Sequence, residues 1–144
     1  MVEEISTEKK TELRRSRAIL FDFGGTLDSD GEHWLDRFYE LYENAGLGLS
    51  KDVIKEVFYQ ADQMCCDDPL VDRMGLRPLM THHIRWQFAR LELNEASDQA
   101  KRMADEFCSK SEYYLSRNAD LLGRLQANYK MGVVSNFYGN VSTI

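Results

Sequence analysis

The stretch Arg17-Ala-Ile-Leu-Phe-Asp-Phe-Gly-Gly-Thr-Leu-Asp28 decides how the rest of the chain is read. Four apolar residues, Ala18 to Phe21, run straight into a single carboxylate, Asp22, followed by Phe23 and two glycines. The run is short enough for a buried strand over about Ala18 to Phe23, and Gly24-Gly25 ends it abruptly. A carboxylate at the C-terminal tip of a buried parallel strand lies where open α/β sheets bind their ligands.

A second short apolar run, Met131-Gly-Val-Val134, ends in Ser135-Asn136. Two strands ending in polar residues with helical sequence between them predict a parallel pair, joined by a right-handed crossover. The block from Glu32 to Leu115 reads as helix almost throughout. Trp34, Leu35, Phe38, Leu41, Tyr42 and Ala45 recur at helical spacing, with the aromatic stripe as core, and Gly46 and Gly48 end that element. Ser50 is an N-cap, with Asp52 in the first turn. Ile54, Val57, Phe58, Ala61 and Met64 form the next stripe, broken at Asp67-Asp68-Pro69.

A third helix is expected from about Pro78 and a fourth from Asn94 to about Tyr114. A fifth, from Arg117 to Asn128, leads into the second strand, and Gly139-Asn140 is a further cap signal. So much helix exceeds what a crossover needs and reads as an inserted module over the C-terminal edge of the sheet.

The first stretch resembles the first motif of the haloacid dehalogenase superfamily, an Asp-x-Asp-Gly-Thr-Leu/Val pattern, with Asp22 in the nucleophile's place. Gly24 replaces the second Asp, the general acid/base of most phosphatase members. Ser135-Asn136, within Gly132-Val-Val-Ser-Asn-Phe-Tyr-Gly-Asn140, resembles the second motif, whose Ser or Thr hydrogen-bonds the phosphoryl group. The resemblance covers about Ala18 to Ile144.

It implies an α/β fold in which a partial Rossmann-like core, residues 17–31 and 116–144, carries a helical cap, residues 32–115, after a charged leader, residues 1–16. It implies an aspartyl-phosphate at Asp22 and Mg²⁺ held by the Asp22 side chain and the backbone carbonyl of Gly24. Phe23, Gly24, Ser135 and Asn136 would bind phosphate. The implied activity is a Mg²⁺-dependent phosphatase of a small phosphorylated metabolite.

Two alternatives stay open: a carbon–halogen hydrolase using Asp22 without a metal, and a non-catalytic binding protein on the same scaffold. The family's third motif, a cation, and its fourth, an acidic metal ligand, lie downstream of the second. Weak or absent turnover is therefore expected of these 144 residues. So is self-association through the incomplete sheet, or a separate C-terminal piece that completes it.

Net charge is −6 with 43% apolar and 29% charged residues, the composition of a globular protein. It argues against nucleic acid or anionic membrane as partner, both of which need a basic footprint. No apolar run approaches a membrane span and the N-terminus lacks a signal-peptide core, so a cytoplasmic protein is expected. Cys65, Cys66 and Cys108 fit reduced thiols, with Cys65 and Cys108 packed on helices. Of the adjacent His82 and His83, one is expected packed and the other solvated. Asp28 and Asp30 read as surface turn residues.

Overall fold

The computed structural model describes residues 17–94, 98–136, 138, 140 and 142. The charged leader and part of the Gly139-Asn140 signal lie outside them. Strand β1 spans Ala18–Phe21 and strand β2 spans Lys130–Val133. They pair in parallel, in a register that sets Ala18 opposite Lys130 and Phe21 opposite Val133. The Val134 N–H donates to the Phe21 carbonyl at 2.8 Å, so pairing continues to the last residue of β1.

Among the described residues, four α-helices lie between the strands: α1 (Trp34–Asn44), α2 (Lys51–Asp67), α3 (Leu76–Arg90) and α4 (Asp98–Gln126). The fold is thus mostly helical with a small two-stranded parallel sheet. No helix among the described residues is long and apolar enough to cross a membrane.

Local signals set most helix ends. Ser50 accepts from the Val53 N–H and caps α2, and Gly46 turns the chain after α1 at φ +67°. Helix α3 begins at Leu76, so Pro78 sits in the first turn, where its missing N–H costs nothing. The N-cap of α1 is His33, whose Nδ1 accepts from the Leu35 N–H at 3.1 Å.

The expected fourth and fifth helices are one. Helix α4 runs unbroken for 29 residues, through the boundary expected at 115/116. Neither glycine nor proline interrupts Tyr113 to Asn118, and extending a helix is far easier than nucleating another. Asn118 bonds the Leu27 carbonyl at 3.0 Å, which ties this stretch to the loop after β1.

The core lies within the helical block. Phe38 of α1 meets Phe58 of α2 edge-on at 4.9 Å, and Trp34 meets Phe107 of α4 the same way. Leu79, Met80, Ile84 and Phe88 of α3 and Met103 of α4 complete it. Cys65 and Cys108 are buried in this core, as their helical positions predict. The sheet is different. Leu20, Val133 and Val134 are exposed, so the strands expected to be buried have bare faces here.

Candidate active site

The loop after β1 is a closed turn built on two carboxylates. Asp22 Oδ1 accepts from the Phe23 N–H at 2.8 Å, which starts the turn. Gly25 follows at φ +81°, where a Cβ would lie 3.2 Å from the Glu32 carbonyl oxygen, so glycine is required there. Gly24 is under no such demand. A Cβ on it would meet the Trp34 indole at 3.6 Å, an ordinary contact.

Asp28 corrects the sequence reading: it is fully buried, not a surface turn residue. Its Oδ1 accepts from the Gly25 N–H, and its Oδ2 accepts from Trp34 Nε1 and Arg37 Nη1, all at 2.8 Å. The Ser111 hydroxyl adds a fourth bond at 3.2 Å. A buried carboxylate needs this many donors to offset lost hydration. Asp30 is exposed as expected and pairs with Arg117.

The register of the sheet brings Asp22 and Ser135-Asn136 to the same end. Asp22, Gly24, Ser135 and Asn136 line one cleft of about 520 Å³. Phe23, the remaining expected phosphate ligand, instead buries its side chain in the core while its amide serves Asp22. Helices α1 and α2 contribute Trp34, Phe58, Asp62 and Cys66 to the wall, with His33 and Tyr138 beside them.

Compared with protein-family models, curated proteins and solved structures, the chain has no match.

Several lining groups were not singled out in the sequence. His33 Nδ1 accepts from the Leu35 N–H, so the ring's N–H is on Nε2 and can donate to an anion. Asp62 Oδ1 accepts from His83 Nε2 at 3.1 Å and from the Tyr138 hydroxyl. Burial and the Asp62 charge push the Tyr138 phenol far above its ordinary range, so it remains a donor. Of the two histidines, His83 is the packed one. His82 is half-buried and bonds Asp68 at 3.1 Å.

The cleft wall contains two carboxylates, Asp22 and Asp62, and, among the described residues, no lysine or arginine. A phosphoryl group bound here would face Asp22 and Asp62 together, an arrangement that calls for a cation. No cluster of three or more His, Cys, Asp or Glu side chains is gathered for a metal among the described residues. Mg²⁺ does not need one. It commonly takes one or two carboxylates, with water and substrate phosphate filling the other positions. Asp22 and Gly24 both line the cleft, and a carboxylate with a backbone carbonyl is a hard-oxygen donor set that fits this mode.

Proposed function

We propose that the chain is a hydrolase of the haloacid dehalogenase type, acting as a Mg²⁺-dependent phosphatase on a small phosphorylated metabolite. The observation that carries this reading is the convergence of Asp22 with Ser135 and Asn136 in one cleft at the end of the parallel strand pair. On this reading residues 17–31 and 116–144 belong to the core, and residues 32–115 to the cap over it.

The Asp22 carboxylate attacks phosphorus, forming an aspartyl-phosphate as the ester P–O bond breaks, and water then releases phosphate and restores Asp22. Ser135 and Asn136 hold phosphoryl oxygens by hydrogen bonds, with the Gly24 N–H and His33 Nε2 as further donors, while the Phe23 N–H stays on Asp22. The Asp22 carboxylate and the Gly24 carbonyl would hold Mg²⁺, which would supply positive charge to offset the phosphoryl oxygens. Trp34 and Phe58 form an apolar wall that limits water around the reacting groups.

One observation favours a second reading. Gly24 offers no proton for a leaving group, and a halide needs none, so a metal-independent carbon–halogen hydrolase uses the same Asp22. The test is phosphate release from p-nitrophenyl phosphate with and without Mg²⁺, for wild type and Asp22→Asn. Weak release that depends on both Asp22 and Mg²⁺ is expected. Halide release from a 2-haloacid without metal supports the second reading, and retained ligand binding without turnover in either assay points to a binding protein.

A further inference from the structure

Asp62 is the end of a hydrogen-bonded chain that runs through the core to the cleft. The Tyr42 hydroxyl of α1 donates to Gln87 Oε1 of α3 at 2.9 Å, and Gln87 Nε2 meets His83 Nδ1 at 2.7 Å. With the amide so oriented, His83 Nδ1 is an acceptor, its proton sits on Nε2, and that nitrogen donates to Asp62 Oδ1. Tyr138 donates to the same oxygen, and stands three residues after Ser135, so Asp62 is tied to the segment at the tip of β2.

His83 and Gln87 are completely buried, and the imidazole lies 5.2 Å from the Phe38 ring and 5.4 Å from Phe58. Polar groups in such surroundings are costly unless each is satisfied. Here the bonds run in one series, and the series ends on a carboxylate whose side chain keeps 30% of its surface open. Both donors fall on Oδ1, which leaves Oδ2 without a hydrogen bond among the described residues, on a side chain that lines the same cleft as Asp22.

We propose that Asp62 is the acid/base of the hydrolysis at Asp22, supplying from α2 the carboxyl group that position 24 lacks. His83 is its positioning residue. The inference rests on the reading of Asp22 as nucleophile. In the first step a proton carried on Asp62 Oδ2, with Oδ1 still accepting from His83 and Tyr138, passes to the ester oxygen as the Asp22 oxygen bonds to phosphorus and the P–O ester bond breaks, so the alcohol leaves neutral. In the second, the Asp62 carboxylate takes a proton from water as the water oxygen bonds to phosphorus and the Asp22–phosphorus link breaks. Inorganic phosphate leaves, Asp22 is a carboxylate again and Asp62 is reprotonated. One water is consumed.

The experiment compares wild type, Asp22→Asn, Asp62→Asn and Asp62→Glu with Mg²⁺ on p-nitrophenyl phosphate and on glycerol phosphate. Asparagine keeps an acceptor for His83 and Tyr138, and Asp62→Glu keeps a carboxyl group should the amide perturb the fold. Nitrophenolate leaves without protonation, so Asp62→Asn should release one equivalent in a burst and then stall with a phosphoryl group on Asp22, seen by mass spectrometry. Its steady rate should fall by roughly 10²–10⁴-fold on both esters, with no burst from glycerol phosphate.

Asp62→Glu should recover part of that rate, and His83→Asn should lower kcat with KM unchanged. Wild-type rates in Asp62→Asn, or a rise in KM alone, would overturn the assignment while leaving Asp22 in place. Absence of any Asp22-dependent turnover in wild type would overturn the functional reading, and this inference with it.

Discussion

Arg37 and Asp28 form a fully buried ion pair, Nη1 to Oδ2 at 2.8 Å, that joins the loop after β1 to two helices. Arg37 also donates from Nη2 to the Phe107 carbonyl at 2.7 Å and to the Ser111 hydroxyl at 2.8 Å, both on α4. Its guanidinium lies 3.6 Å from the centre of the Phe107 ring. Burial lowers the Arg37 pKa and Asp28 pulls it back up, the balance expected of a charge kept in the core by its partner. The pair therefore fixes where the loop that carries Asp22 sits against the helical block.

Removing one partner leaves the other charged and buried, which typically costs about 3–5 kcal/mol. Asp28→Ala should lower unfolding stability by that amount, since Gly25 and Trp34 lose their acceptor as well. Arg37→Ala should cost a similar amount, and the double variant less than the sum, because neither charge then remains. Denaturant midpoints for the four proteins measure this coupling. Strict additivity would show the pair to be energetically idle.

Buried thiols predict a loss of stability in alkali. Burial pushes Cys65 up to about 12 and Cys108 up to about 11, from an ordinary 9.0. The folded state keeps these protons after the unfolded chain has lost them. Their contribution is therefore complete below pH 9 and falls away between pH 9 and about 11 for Cys108, or about 12 for Cys65. The slope is about 1.4 kcal/mol per thiol for each pH unit between the two values. Urea midpoints at pH 8, 9.5 and 10.5 should fall accordingly, and Cys65→Ala with Cys108→Ala should flatten the decline. At pH 8, iodoacetamide should reach Cys66 first, the one exposed thiol of the three.

How much of this was legible in the sequence follows from the range of each signal. Asp22, Gly24 and Ser135-Asn136 stand at the ends of short apolar runs, so a local pattern locates them, and strand pairing brings them together. Ser50 and Gly46 likewise act on neighbouring backbone. Asp28 was misread because its partners lie 9 residues away at Arg37 and 83 away at Ser111, and a turn-forming Asp looks the same with or without them. Asp62, His83, Gln87 and Tyr42 come from three helices in which each occupies an ordinary helical position. Nothing in the spacing of one helix reports that polar groups on another will meet it. The unbroken α4 was missed because Tyr113 to Asn118 carries no strong stop or start signal, and length alone did not decide.

The last prediction concerns the sheet. Leu20 is 67% exposed, Val134 62% and Val133 46%, on a sheet of two strands. Leu20 lies against Gly132, where a Cβ would come within 3.0 Å of its Cδ2, so the glycine makes room for the leucine without covering it. Parallel strands are ordinarily covered on both faces, and two strands do not make an independently stable sheet. Each strand also has an edge that can accept another strand. The 144-residue chain should therefore associate through this sheet, either with a second copy or with a separate polypeptide that supplies further strands. Light scattering across a range of concentrations, with mass spectrometry for a second polypeptide, tests it. Burial of a leucine side chain is worth about 1.5–3 kcal/mol, so Leu20→Lys should weaken association by roughly tenfold or more while leaving helix content unchanged. A monomer at every concentration, with a cooperative melt and no effect of Leu20→Lys, would mean that these faces stay bare in solution.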